Sequence, residues 1–277
     1  MSDEVMEREK QFKEMVRNTF ETVANGYGLG GARFFHSAGE HMAELLDLAG
    51  NEHVLDVASG TGATAIPLAH RLNGGKVTAV DFSPAMLEQS RARAEQKGLD
   101  NIDYKVHDMT AMPFAKGQFD NATCSFGIFF VEDMVSLLNH IASKVKPGGS
   151  VLVSGFCGES FMPVTNLLLD QLRNYGVDVP EKPFGWKRMA EQEQLHQLFD
   201  DAGLYNVDIQ RRSLGYYVES EGWWEVVWNA GFRGLVNQVG DRLDEFKVEH
   251  FAEIESLKDD KGLWLEVDVY FTKGTTQ

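Results

Sequence analysis

The sequence predicts an α/β fold, a parallel sheet interleaved with helices and carrying a helical cap, and three observations predict it. First, Val54 to Ala58 is an apolar run with one carboxylate, Asp56, set in it. Gly60 and Gly62 follow, and then the apolar helix start Ala65-Ile66-Pro67-Leu68-Ala69. A buried strand, a glycine turn and a helix make the opening unit of a Rossmann-like sheet. Second, strand-like and helix-like segments alternate from residue 53 to residue 156, the pattern that builds a parallel sheet. Third, turn signals fall between them: Gly74-Gly75, Ser83-Pro84 and Lys146-Pro147-Gly148-Gly149.

Taken in order, residues 4–24 have helical spacing, with Phe12, Val16, Phe20 and Val23 at three- and four-residue steps. Asn25 to Gly31 holds four glycines and breaks the helix. It reads either as a mobile lid or as a plain connector. A short helix is expected over 41–49. Strands are expected at 53–58, 76–81, 102–107, 119–126 and 150–156. Helices are expected at 63–72, 83–97 and 135–145, the second capped by Ser83 with Pro84 at its first position. Helical pattern returns near 163–175 and 188–202. Strand six is 204–211, and strand seven lies within 262–272. Between them runs an insertion with helical patterning. The chain therefore divides into N-terminal helices and lid (1–50), a ligand-binding core (51–156) and cap insertions (157–203 and 213–261) within a single domain.

Composition narrows the function. The chain has 277 residues, 43% of them hydrophobic, with 26 basic against 42 acidic side chains and a net charge of −16. Nucleic acids and anionic membrane surfaces demand clustered Lys and Arg, and no such cluster is present. A small-molecule partner is expected, with no nucleic acid. Cys124 and Cys157 lie in strand-like runs and read as buried thiols. No Cys or His spacing suits a metal. No apolar run reaches the ~18 residues of a membrane helix, and the N-terminus lacks an apolar signal core, so a cytoplasmic location is expected.

Six pieces together carry a resemblance: Phe20-Glu-Thr-Val-Ala-Asn-Gly-Tyr27, Val54-Leu-Asp-Val-Ala-Ser-Gly-Thr-Gly62, Val80-Asp-Phe-Ser-Pro-Ala-Met-Leu87, His107-Asp-Met109, Phe119-Asp-Asn-Ala-Thr-Cys-Ser-Phe-Gly127 and Lys146-Pro-Gly-Gly149. Over roughly residues 20–156 the chain resembles a class I S-adenosylmethionine-dependent methyltransferase, closest to the ubiquinone and menaquinone C-methyltransferase branch. The resemblance implies a seven-stranded, mostly parallel sheet with its last strand antiparallel, and S-adenosyl-L-methionine as cofactor. Asp81, ending strand two, would accept the ribose hydroxyls. Asp108 would accept the adenine amino group, with Met109, Phe82 and Met86 on the purine faces. Asp56, Ala58 and Gly60 would hold the methionine end, with Ser125 and Phe126 nearby. Asp56 reads almost equally as a structural anchor. Ala58 stands where the family has its first loop glycine, and Gly28 stands where an acidic residue often follows the tyrosine.

The sulfonium methyl is already activated, so the enzyme mainly aligns the partners and excludes water. Tyr27 and His36 are the candidates on the substrate side. His41, His140, His196 and His250 read as surface or packing residues. Ile128-Phe129-Phe130, Phe156 and Phe161 are candidates for an aromatic acceptor pocket; so is the Trp223-Trp224-Trp228-Phe232 stripe, although such a stripe is more often a cap's own core. One alternative is a nicotinamide-dependent oxidoreductase, because Gly60-x-Gly62-x-x-Ala65 with Asp81 fits the dinucleotide fingerprint. A carboxylate at Asp56, where a pyrophosphate would lie, opposes it. A non-catalytic nucleotide-binding protein is the other.

Overall fold

The computed structural model describes residues 3–179 and 185–277. Residues 1, 2 and 180–184, which belong to the expected N-terminal and 157–203 regions, lie outside that description. The elements run α1 (Asp3–Val23), α2 (Phe34–Leu45), β1 (His53–Val57), α3 (Ala65–Arg71), β2 (Lys76–Asp81), α4 (Pro84–Gln96), β3 (Ile102–Val106), β4 (Phe119–Ser125), α5 (Met134–Ala142) and β5 (Val145–Phe156). Then come α6 (Val164–Asn174), α7 (Gln192–Asp201), β6 (Tyr205–Ser213), β7 (Tyr216–Val218), α8 (Ser220–Asn229), α9 (Arg233–Val236), α10 (Leu243–Glu255), β8 (Leu263–Leu265) and β9 (Asp268–Thr275).

Seven strands form one sheet in the order β3-β2-β1-β4-β5-β9-β6. β1 pairs in parallel with both β2 and β4, and β9 runs antiparallel between β5 and β6. The last strand is therefore the antiparallel one. Strand order reverses between β1 and β4, and in such sheets the crevice beyond the carboxyl ends at that point takes the ligand. Val54, Leu55 and Val57 are fully buried, as are Val77, Ala79 and Val80 of β2, because helices cover both faces. Ser83 caps α4 by accepting the Met86 N–H at 3.2 Å, with Pro84 at the first helical position.

Three boundaries differ from the sequence reading. α2 covers 34–45 rather than 41–49, because Phe34, Phe35, Ala38 and Met42 supply a buried helical stripe. α5 ends at Ala142, and Val145 already pairs with Phe119, so Lys146-Pro147-Gly148-Gly149 opens β5 instead of closing the helix. The late insertion begins and ends in a two-stranded ribbon, β7 with β8, too short to show a strand period.

The cap is built from α6, α8 and α10. The Gln171 side chain donates to the Phe246 carbonyl at 3.0 Å, and Trp223 Nε1 donates to His250 Nε2 at 2.9 Å. Trp223, Phe246 and Ile254 belong to the same contiguous buried core as the sheet. Among the described residues no helix is long and apolar enough to cross a membrane.

Candidate active site

The floor of the site is the turn after β1. Ser59 N–H donates to the Val80 carbonyl at 2.9 Å, tying the turn to β2. Gly60 N–H donates to Asp81 Oδ2 at 2.8 Å, and Ser83 N–H donates to Asp81 Oδ1 at 2.9 Å. One carboxylate thus fixes both the glycine turn and the start of α4. Gly60 has φ +53°, and a Cβ there would point into the cleft, with Tyr27 Cε1 nearest at 4.0 Å. The bare backbone lets a ligand approach closely.

Above this floor lies a cleft of ≈ 980 Å³, mouth included. α1 roofs one side with Lys13, Val16 and Phe20. Phe82, Met86 and Met109 make an apolar slot beside Asp81 and Asp108. Aromatic rings line the same cleft, Phe20 and Tyr27 packing against Met86. Tyr27 stacks on Phe35 with ring centroids 4.7 Å apart, and Phe20 meets Phe130 edge-on at 5.3 Å. Phe126 meets Phe35 edge-on at 5.2 Å. These offset and edge contacts are the favoured arrangements for rings.

Burial dominates the electrostatics. It pushes the Asp81 carboxyl up to about 6, against the lowering effect of its backbone hydrogen bonds. It does the same to Asp56, also to about 6, with the Ser59 and Thr123 hydroxyls offsetting part of it. Asp108 goes the other way. Burial raises it, but hydrogen bonds from the Thr110 amide and hydroxyl and from Lys13 hold it below the usual carboxylate range. The Tyr27 phenol is pushed well above its ordinary value, by burial first and then by the Asp81 charge.

Residues 54–149 match a family model described as a methyltransferase domain. The ubiquinone/menaquinone biosynthesis C-methyltransferase UbiE of Paracoccus denitrificans is 30% identical over 78% of this chain and 92% of its own length. The chain belongs to the class I S-adenosylmethionine-dependent methyltransferases. Within that family it also resembles the aklanonic acid methyltransferase DauC of Streptomyces sp. strain C5, at 29% identity over 52% of this chain and 66% of that one. Among solved structures, the YcgJ protein of Bacillus subtilis shares the fold at TM-score 0.60, with 17% identity over 87% of this chain and 99% of that chain. The nicotinamide and non-catalytic alternatives are thereby set aside.

The residues of this methyltransferase fit its cofactor, S-adenosylmethionine. The cleft offers the buried Asp81 carboxylate beside the half-buried backbone of Gly60, with Phe82, Met86 and Met109 as apolar lining for a purine. Its acidic groups, Asp81 and Asp108, suit a cationic ligand.

Ten of the sequence-derived residues meet in this one cleft: Tyr27, Ala58, Gly60, Asp81, Phe82, Met86, Asp108, Met109, Ser125 and Phe126. Two do not. Asp56 is only 1% exposed and lies beneath the turn, its Oδ1 accepting the Thr123 hydroxyl at 2.7 Å. That is the structural-anchor role. His36 lies behind Gly28, off the cleft, where burial and then the Arg93 charge lower its basicity. Asp108 is shared with Lys13 at 3.1 Å, a partner on α1 that no motif signals. Of the aromatic candidates only Phe130 lines the cleft. Trp223 and Trp224 are buried in the cap, Trp224 packing beside Phe246, and Phe156 and Phe161 pack on Phe34. Phe35, Thr61 and Val131 line the cleft unannounced by the sequence. Phe20 lines it too, and the motif ending at Tyr27 held its signal.

Proposed function

We propose that this enzyme transfers the methyl group to a ring carbon of a small, planar, apolar acceptor of the hydroquinone type. The observation that carries the reading is the ring lining of the cleft, Phe20, Tyr27, Phe35, Phe126 and Phe130, with the Lys13 ammonium held by Asp108 at 3.1 Å. Flat aromatic walls favour a flat aromatic guest. The names of the UbiE and DauC relatives, a quinone C-methyltransferase and an aklanonic acid methyltransferase, agree with an aromatic acceptor.

In this reading Asp81 accepts the ribose hydroxyls, and Asp108 and Met109 face the adenine edge. Phe82 and Met86 flank its ring. Ala58, Gly60, Ser125 and Phe126 line the methionine end. The bound cofactor supplies a sulfonium methyl open to direct displacement. Tyr27, whose phenol holds its proton far above neutral pH, serves as a hydrogen-bond donor that orients the acceptor oxygen rather than as a base. Phe20 and Phe130 close the cleft against water.

The test is a transfer assay with isotopically labelled S-adenosylmethionine against hydroquinones, naphthohydroquinones, catechols and primary amines. Label on a ring carbon of a hydroquinone is expected. Label appearing only on amines would overturn the proposal.

A further inference from the structure

We propose that Arg93 is a positioning residue that pins Tyr27 over the glycine turn; the proposal rests on the placement of Tyr27 at the methyl end. Arg93 lies on α4, outside the cleft lining. Its Nη1 donates to Thr61 Oγ1 at 2.8 Å, and its Nη2 donates to the Tyr27 carbonyl at 3.1 Å. Half-buried, it has its basicity lowered by burial, with no acidic partner among the described residues to offset it. A desolvated guanidinium without a carboxylate is costly. Backbone carbonyl and hydroxyl acceptors are what it has in exchange, and both belong to segments that line the cleft.

The convergence is tight. Gly28, at φ +75°, presents a bare face to Thr61 Oγ1, His36 Nε2 and Arg93 Nη1, which would lie 3.7, 3.8 and 3.9 Å from a Cβ built there. The acidic residue that often follows the tyrosine in this family would therefore point at Arg93. With glycine in that place, the guanidinium keeps both donors for the Tyr27 carbonyl and Thr61. The glycine turn itself is held separately, through Gly60 and Asp81. Loss of Arg93 removes a donor from the Tyr27 carbonyl and from Thr61, while the Gly60–Asp81 tie of the turn stays, so the Tyr27 segment should loosen more than the turn. Tyr27 lines the cleft, and in this proposal its ring meets the sulfonium, which an aromatic ring favours over a neutral thioether.

The experiment measures calorimetric affinities for S-adenosylmethionine and S-adenosylhomocysteine in the wild type, Arg93→Ala, Arg93→Lys and Tyr27→Leu, with amide exchange over residues 26–29. Arg93→Ala is expected to bind S-adenosylhomocysteine within about threefold of the wild type, lose roughly tenfold in affinity for S-adenosylmethionine, and exchange faster at 26–29. Arg93→Lys, keeping one donor, is expected to fall between. If Tyr27→Leu shifts the ratio of the two affinities and Arg93→Ala does not, the pin is refuted and the Tyr27 placement stands. If Tyr27→Leu leaves the ratio unchanged, the placement fails and the pin with it. Equal loss for both ligands in Arg93→Ala would make Arg93 a support of the cofactor turn and overturn the proposal. Arg93→Lys matching Arg93→Ala in both affinities would do the same.

Discussion

Asp81 concentrates the polar contacts at the floor of the cleft in one carboxylate, and the proposed site gives it the ribose. It is 7% exposed, and its two oxygens already accept backbone N–H groups from opposite sides. Further lone pairs remain for two hydroxyls. Asp81→Ala is expected to weaken S-adenosylmethionine binding tenfold or more, because hydrogen bonds to a charged group contribute about 1.5–3 kcal/mol. Unchanged calorimetric affinity in a folded variant would remove Asp81 from the site. The raised carboxyl adds a pH signature. With a value of about 6, the group is protonated below that pH and loses acceptor strength. Affinity should therefore be flat above pH 7 and fall as pH drops through 6, by up to about tenfold per unit for one proton. Titrations between pH 5 and 8 check this. Ala58 illustrates a different residue-scale constraint. Its φ of +52° is a region that glycine enters at little cost and alanine does not.

At the scale of elements, the loop between α1 and α2 is held on several sides. Gly31 N–H donates to Glu225 of α8 at 2.6 Å, and the Tyr216 hydroxyl donates to the Gly31 carbonyl. A Cβ at Gly31 would lie 1.7 Å from the Gly222 carbonyl oxygen. That glycine is there because two backbones touch, a demand distinct from mobility. Gly31→Ala should force α8 off the loop and cost roughly 2–4 kcal/mol, in the range of overpacked cores and severe mutants. Gly231→Ala, with nothing within 4 Å, is the control and should be near neutral. Denaturant titration of the pair decides the matter; equal stability would show that α8 adjusts freely.

At the scale of the whole molecule, acid stability depends on the cap. His250 is fully buried, accepts from Trp223, and has its basicity lowered by burial to about 4. The unfolded chain takes up that proton near pH 6.5 and the folded chain does not. Stability from this site is therefore complete above pH 6.5 and is lost as pH falls toward 4, by up to about 3 kcal/mol. Asp56 and Asp81 act in the opposite sense. Raised from 3.8 to about 6, they favour the folded state as they take up protons over that window. Between pH 7 and 6 the two carboxylates nearly offset the His250 loss, so it shows in the comparison with a variant rather than in the wild-type slope. His250→Gln keeps an acceptor for Trp223 and should gain stability relative to the wild type as pH falls from 7 to 5 in urea titrations; a difference independent of pH would take His250 out of the acid response. The net charge of −16 predicts no gel shift of random duplex DNA at low micromolar protein and physiological salt.

The sequence by itself determined the sheet and the floor of the cleft, because both are written in short-range pattern. Val54 to Gly62 reads as strand and turn without reference to anything distant, and so do Asp81 after β2 and Ser83-Pro84 at the start of α4. The local period and the turn chemistry that identify such units are properties of neighbouring residues. Tertiary structure alone decided the roof and the aromatic lining of the cleft. Lys13 meets Asp108, Phe20 meets Phe130, and Arg93 meets Tyr27 across gaps of 66 to 110 positions in the chain. No local period encodes such meetings. It likewise decided that the Trp223-Trp224 stripe fills the cap while Phe35 faces the cleft. Aromatic residues have the same burial preference in a core as in a pocket, and only the packing of α8 against α10 and α2 against Tyr27 separates the two.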